Sequence, residues 1–81
     1  MDDDLKIILG TIGYYRDIRK MNMKKARRYE VKAIDAYTRG DTCMGDSYMK
    51  DLSEIYSNID RESSAIKDAL SKLGAVDGKI W

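Results

Sequence analysis

Apolar residues recur along the chain with helical spacing, and the pattern is cleanest in the second half. From residue 48 onward, two sets of positions repeat every seven residues. One set is Leu52, Ile59, Ile66, Leu73 and Ile80, and the other is Tyr48, Ile55, Glu62, Ala69 and Val76. A 3.5-residue repeat sustained in this way is typical of an amphipathic helix that packs along a seam against another helix.

Local signals place this second helix at about residues 47–73. Asp46 or Ser47 is the expected N-cap, because a short side-chain oxygen accepts a hydrogen bond from an N–H group of the first turn. Gly74 is the expected end, because glycine is common just beyond the last helical residue.

The first half predicts a helix over about residues 3–39, with a less regular stripe. Its core positions are Leu5, Ile8, Ile12, Tyr15, Ala26, Tyr29, Ala33 and Ala36 or Tyr37, interrupted by Arg19 and Asn22. The pair Arg39-Gly40 is the expected end of this helix. Residues 7–12 also have the composition of a strand, and Gly10 and Gly13 weaken a helix by about 1 kcal/mol each. A lone strand would have no partner in the chain, so a helix is favoured, with a break at Gly10–Gly13 as the alternative.

Together these elements predict an all-α fold, one antiparallel helical hairpin that occupies residues 1–81 as a single domain. The expected connector is residues 40–45, a length within the usual range for helix–helix connections. Folding about residue 43 sets position i opposite 86 − i. That register predicts contacts between small and large residues, with Ala26 near Ile59, Ala33 near Leu52 and Gly13 near Leu73.

The same register brings the polar interruptions of both helices into one layer. Glu62 falls within about one turn of Arg19, Asn22 and Lys25. An isolated buried carboxylate is costly, so we predict an ion pair between Glu62 and Arg19 or Lys25, with Asn22 as a further partner. The alternative is that Glu62 lies at the edge of the seam in water.

A two-helix unit leaves much of its apolar surface exposed, and small domains commonly complete their core by association. The apolar residues outside the seam are Ile18, Met21, Met23, Ile34, Met49, Tyr56 and Leu70. They predict a homodimer that forms a four-helix bundle. The alternative is a monomer in which residues 74–81 fold back and Trp81 packs against Leu5 and Leu9.

Charge is segregated along the chain, although the formal net charge is only +1. Residues 1–15 carry −2, residues 16–39 carry +6, and residues 40–81 carry −3. The candidate partner-binding residues lie on the basic helix and are Tyr14, Arg16, Lys20, Lys24, Arg27, Arg28 and Lys32. We expect them to engage an acidic protein surface, as in an adaptor, regulator or inhibitor. The alternatives are contact with nucleic-acid phosphates, a structural assembly subunit, or simply a solvated helix surface.

Composition argues against catalysis. The chain has no His and one Cys, so it cannot build a zinc finger, a haem site, a Cys/His nucleophile or a disulfide within itself. Its carboxylates have no phosphate-binding loop or nucleophile motif beside them, and we predict no catalytic residue, metal site, cofactor or small-molecule substrate. No apolar run exceeds three residues, and the chain opens with Met-Asp-Asp-Asp, so we expect a cytoplasmic protein that does not enter membranes, with Cys43 as a reduced thiol.

Overall fold

The computed structural model describes the backbone of residues 2–77 and the side chains of residues 3–73. Two helices, α1 (Asp2–Thr38) and α2 (Thr42–Asp77), pack side by side as an antiparallel hairpin of 58 × 17 × 15 Å. Within the described residues there is no strand, so the predicted all-α hairpin is confirmed and the strand alternative is wrong. Helix α1 runs unbroken through Gly10 and Gly13, because two exposed glycines weaken a long helix without ending it.

The predicted end of α1 at Arg39-Gly40 is confirmed, and two hydrogen bonds close it. The Gly40 N–H donates to the Tyr37 carbonyl at 3.0 Å, and the Asp41 N–H donates to the Ala36 carbonyl at 2.9 Å, which is the Schellman pattern. Gly40 has a φ of 82°. This left-handed conformation costs a residue with a Cβ about 1–2 kcal/mol, so glycine is the suitable residue.

The predicted start of α2 is wrong, because the helix begins at Thr42 rather than at residue 47. Asp41 is the N-cap, since its Oδ1 accepts a hydrogen bond from the Met44 N–H at 3.1 Å. Asp46 and Ser47 therefore lie inside the helix. The capping aspartate directly follows the glycine that reverses the chain, so α2 can begin at once and residues 39–41 form the whole connector.

The predicted end of α2 at Gly74 is also wrong, because the helix continues to Asp77. A glycine inside a helix costs about 1 kcal/mol, which does not terminate a helix by itself. The expected core positions Val76 and Ile80, and the alternative packing of Trp81, lie outside the residues whose side chains the structure describes.

Both predicted stripes form the seam between the helices. Its buried apolar residues are Ala26, Ala33, Ala36, Leu52, Ile55, Ile66 and Ala69. Ala26, Leu52 and Ile55 form a cluster against which Tyr29 and Ile59 pack, so the expected neighbourhood of Ala26 and Ile59 is confirmed. No buried side chain larger than alanine falls below 2% exposure among the described residues, so the core is thin.

The register differs from the expected one because the turn lies earlier in the chain. Interhelical hydrogen bonds join Arg19 to Ser63, and Asn22 to Glu62. In these two pairs and in the pair Tyr37–Asp46, residue i of α1 lies opposite about 83 − i rather than 86 − i, whereas the long exposed side chains of Glu30 and Tyr56 meet at 86 − i. A Cβ added to Gly13 would meet no atom within 4 Å, so the expected contact of Gly13 with Leu73 is wrong.

Candidate partner-binding surface

The structure exposes all seven predicted partner-binding residues on α1, but it does not gather them into one patch. Four of them, Lys24, Arg27, Arg28 and Lys32, line a shallow groove of about 570 Å³ together with Val31. Arg16 and Lys20 are exposed nearer the N-terminus and do not line the groove. The candidate site therefore reduces to residues 24–32.

Val31 is the residue of this groove that sequence reasoning missed. Its side chain is 63% exposed, and it stands among four cations whose methylene stems add apolar surface around it. The groove thus offers an apolar floor ringed by positive charge. The signal in the sequence is a lone β-branched apolar residue in the densest cationic stretch of the chain, away from the core stripe.

Tyr14 does not belong to the groove. It lies 18 residues before Lys32, about 27 Å along the helix at 1.5 Å per residue. Its ring packs edge-on against Tyr15, with centroids 5.4 Å apart.

The aromatic ring close to the cations is instead Tyr29. The Lys32 Nζ lies 5.4 Å from the centroid of this ring, and the Lys25 Nζ lies 6.0 Å from it. Tyr29 is half-buried and packs edge-on against Tyr48, with centroids 6.0 Å apart. These contacts place Tyr29 at the seam, where it helps to hold the lysine stems in place.

The predicted polar layer exists, but its pairing differs from the prediction. Glu62 is 8% exposed, so the alternative of a solvated seam edge is wrong. The Asn22 Nδ2 donates to Glu62 Oε2 at 2.7 Å, which confirms Asn22 as a partner. The expected ion pair with Arg19 or Lys25 is wrong: Arg19 Nη1 donates to Ser63 Oγ at 3.2 Å, and Lys25 is exposed beside Tyr29.

The shifted register explains this exchange of partners. A displacement of three residues, close to one helical turn, moves Glu62 from opposite residue 24, beside Lys25, to opposite residue 21, beside Asn22, and it brings Arg19 to the level of Ser63. Glu62 Oε1 is buried without a hydrogen-bond partner. A single hydrogen bond from a neutral amide therefore compensates the burial of Glu62.

Two tyrosine–carboxylate contacts bridge the helices outside the seam. The Tyr37 hydroxyl donates to Asp46 Oδ1 at 2.6 Å near the turn, and the Tyr56 hydroxyl donates to Glu30 Oε1. In each pair, the hydrogen bond to the carboxylate raises the pKa of the phenol above its ordinary value, and partial desolvation and the negative charge add to this effect.

The raised phenol pKa gives the Tyr37–Asp46 contact a pH dependence. Because the folded-state pKa exceeds the unfolded one, the contact stabilises the hairpin fully below about pH 10 and is lost as pH rises through the raised value. We expect Asp46→Asn to lower the titration midpoint of the Tyr37 phenol. Tyrosinate absorbance measured against pH reports this midpoint, and the Tyr37→Phe variant gives the absorbance of the other tyrosines, which is subtracted. Equal midpoints for the wild type and Asp46→Asn would contradict the contact.

The described residues hold no cluster of three or more potential metal ligands, and Cys43 is exposed in the first turn of α2. Neither helix, over the part of the chain described, has a stretch apolar enough to cross a membrane. Comparison with protein-family models, curated proteins and solved structures finds no match to this chain. The function is therefore inferred from the exposed residues of the chain itself.

Proposed function

We propose that the protein is a non-enzymatic interaction module that binds an acidic protein partner through the groove of α1. The observation that carries this proposal is the exposed Val31 surrounded by Lys24, Arg27, Arg28 and Lys32. Protein interfaces concentrate their binding energy in an apolar centre ringed by polar contacts, with arginine enriched. The groove shows the same arrangement on a single helix, with Val31 at its centre and the four cations around it.

The shape and charge of the groove favour an amphipathic acidic helix as the partner segment. Residues 24–32 span about 12 Å of α1 at 1.5 Å per residue, which matches about two turns of a second helix. An apolar side chain of the partner would cover Val31, and flanking Asp or Glu would meet the cations. Such complementarity mainly speeds association and fixes orientation, while the covered apolar surface slows dissociation.

The groove supports a nucleic-acid ligand less well. A phosphate backbone binds the cations but makes no favourable contact with the exposed valine at the centre of the groove. The bases of a nucleic acid would need an exposed aromatic ring on which to stack. Near the cations the aromatic ring is Tyr29, which is half-buried against Tyr48, whereas the exposed Tyr14 is about 27 Å from Lys32. Nucleic-acid binding is therefore the competing outcome of the test.

We further propose that the module is a homodimeric four-helix bundle in the cytoplasm. The Cα radius of gyration is 17.9 Å, against about 12 Å for a compact domain of this length. A rod one helix pair thick leaves much apolar side-chain surface exposed, and a second hairpin would cover part of it.

Val31→Ser tests the protein-binding proposal. The ligands are a labelled helical peptide with Glu on one face and Leu on the other, and an RNA duplex of similar charge, measured by fluorescence anisotropy. We expect peptide affinity to fall about tenfold, since burying a valine side chain contributes about 1.5 kcal/mol, while RNA affinity stays unchanged.

Met21→Ser is the matched control, because Met21 is also exposed on α1 but does not line the groove. We expect it to leave both affinities unchanged. Lys24→Ala should weaken either ligand and flatten the salt dependence. RNA binding that is stronger than peptide binding and insensitive to Val31→Ser would replace the protein partner with a nucleic acid.

A further inference from the structure

A second exposed surface lies along one side of the seam and carries apolar side chains from both helices. We name it the apolar flank; it consists of Leu9, Met23, Ile34, Met49, Tyr56 and Leu70, all 43–65% exposed. Met49, Tyr56 and Leu70 occupy the same heptad position of α2, with Ser63 between the last two, and so share one face. One groove of about 250 Å³ on this side is lined by Met23, Ala26, Tyr56 and Ile59 together with the charged Arg27 and Glu30.

The heptad positions of the flank are those that a four-helix bundle uses. A helix that packs against one neighbour needs two apolar positions per heptad, whereas a bundle helix shows a third beside them. In α2 the third position is apolar at Met49, Tyr56 and Leu70 and polar at Ser63, and it lies next to the buried Ile55 and Ile66. The pattern therefore fits a second seam.

The exposed area is large enough for a stable dimer. The chain exposes 6312 Å², whereas a compact monomer of 9.3 kDa exposes about 5000 Å². The excess of about 1300 Å² is spread over the whole rod, and it is more than the roughly 800 Å² that each partner contributes to a standard interface. The elongated hairpin therefore exposes enough surface to accommodate an interface of standard size with a second copy.

We propose that the flank binds a second copy of this chain, with the two-fold axis along the long axis of the rod, so that α1 lies beside α2 of the second copy. This inference rests on the dimerisation proposed above and specifies its surface and arrangement. It leaves Lys24, Arg28, Val31 and Lys32 away from the flank, whereas Arg27 lines the grooves on both sides and would lie at the edge of the dimer interface. Each copy therefore presents most of its own groove, on opposite sides of the bundle.

Charge supports this arrangement over the one that places the two α1 helices together. Helix α1 carries nine Lys/Arg against six Asp/Glu, and α2 carries four against seven. A two-fold axis along the rod does not change the height of a residue along the rod, so residues at the same height in the two copies lie next to each other. Asp60 of the second copy then lies at a height between those of Lys20 and Arg27. Packing α1 on α1 would instead run the two helices antiparallel and bring residues 16–24 of both copies together, with Lys20 against Lys20 of the second copy.

Light scattering on the full chain over a range of concentrations tests the surface. We expect a wild-type mass of twice 9.3 kDa, and a dimer at least tenfold weaker in Met23→Glu and in Leu70→Glu. Met21→Glu is the matched control, because Met21 is 69% exposed and lies off the flank. Circular dichroism on each variant confirms that it remains helical, and Leu70→Glu carries the test if Met23→Glu does not fold.

Charge exchange tests the arrangement. We expect Lys20→Glu and Asp60→Lys each to weaken the dimer about threefold to tenfold, and the double variant to recover most of the loss. A stronger dimer in Lys20→Glu would show that the α1 helices face each other and would overturn the arrangement. A dimer untouched by Met23→Glu and Leu70→Glu would overturn the flank but not dimerisation, whereas a wild-type monomer at every concentration would overturn both.

Discussion

Asn22→Leu is expected to lower the free energy of unfolding by about 3 kcal/mol, because it leaves the buried Glu62 carboxylate without a hydrogen bond. In the wild type, the Asn22 amide donates to Glu62 Oε2, and Oε1 is already buried without a partner. The substitution removes the one compensating contact and adds an apolar side chain that cannot replace it. Urea unfolding at one fixed protein concentration measures the loss, since association would alter the apparent stability.

Glu62→Leu in the Asn22→Leu background is expected to restore the wild-type stability or exceed it. Two leucines in this layer bury no charge and no unpaired amide, and apolar replacements of buried polar pairs are often neutral or stabilising. Asn58→Leu is the control for the chemical change, because Asn58 is exposed on α2 and should shift the stability by less than about 0.5 kcal/mol. A cost below about 1 kcal/mol for Asn22→Leu would mean that Glu62 does not depend on Asn22.

This cycle also separates stability from alignment. A single buried polar layer penalises registers that leave its members unpaired, whereas a continuous apolar seam tolerates a slip of one heptad. The doubly apolar variant should therefore be stable but less uniquely aligned. In its NMR spectrum, this would appear as more amide cross-peaks than the wild type shows, with no loss of helix by circular dichroism.

The sequence predicts both helices because the apolar period is long and regular, and no local signal is needed to identify them. The turn is different, since its position depends on which of several polar residues caps α2. Asp41, Asp46 and Ser47 are all acceptable N-caps by residue type. Asp41 caps the helix because it directly follows Gly40, whose left-handed conformation has already reversed the chain.

A small error at the turn has a large effect on the polar layer. Moving the turn toward the N-terminus shifts the register by about three residues, which is close to one helical turn. Asn22 and Lys25 are three residues apart, so the shift replaces Lys25 with Asn22 opposite Glu62. The layer could thus be predicted from the two interrupted stripes, but the pairing within it could not.

The candidate surface is predictable to a similar extent. The exposure of Lys24, Arg27 and Arg28 follows from their positions off the core stripe. The groove around Val31 does not follow, because it depends on how long side chains lie across the outside of a helix. Composition groups Tyr14 with these cations, but the distance along α1 separates it from them.

Gly45→Ala is expected to lower the free energy of unfolding by about 1–2 kcal/mol, although alanine is the better helix former by about 1 kcal/mol. A Cβ at Gly45 would lie 2.6 Å from Tyr37 Cε1, well inside van der Waals contact. The ring would have to swing away, and its hydroxyl would lose the 2.6 Å hydrogen bond to Asp46. Gly13→Ala is the control, because a Cβ there meets no atom within 4 Å, and it should stabilise the protein by about 0.5–1 kcal/mol.

The decisive measurement is the effect of Gly45→Ala when the ring is absent. In a Tyr37→Ala background the three atoms nearest to the new methyl group, all on the ring, are gone, so the same substitution should change sign and stabilise the hairpin by up to about 1 kcal/mol. Thermal unfolding of the four combinations at one concentration gives the coupling between the two positions. Stabilisation by Gly45→Ala in the wild-type background, equal to that of Gly13→Ala, would show that Tyr37 does not pack on Gly45. The first turn of α2 would then be held by the Asp41 cap without the help of the Tyr37 ring.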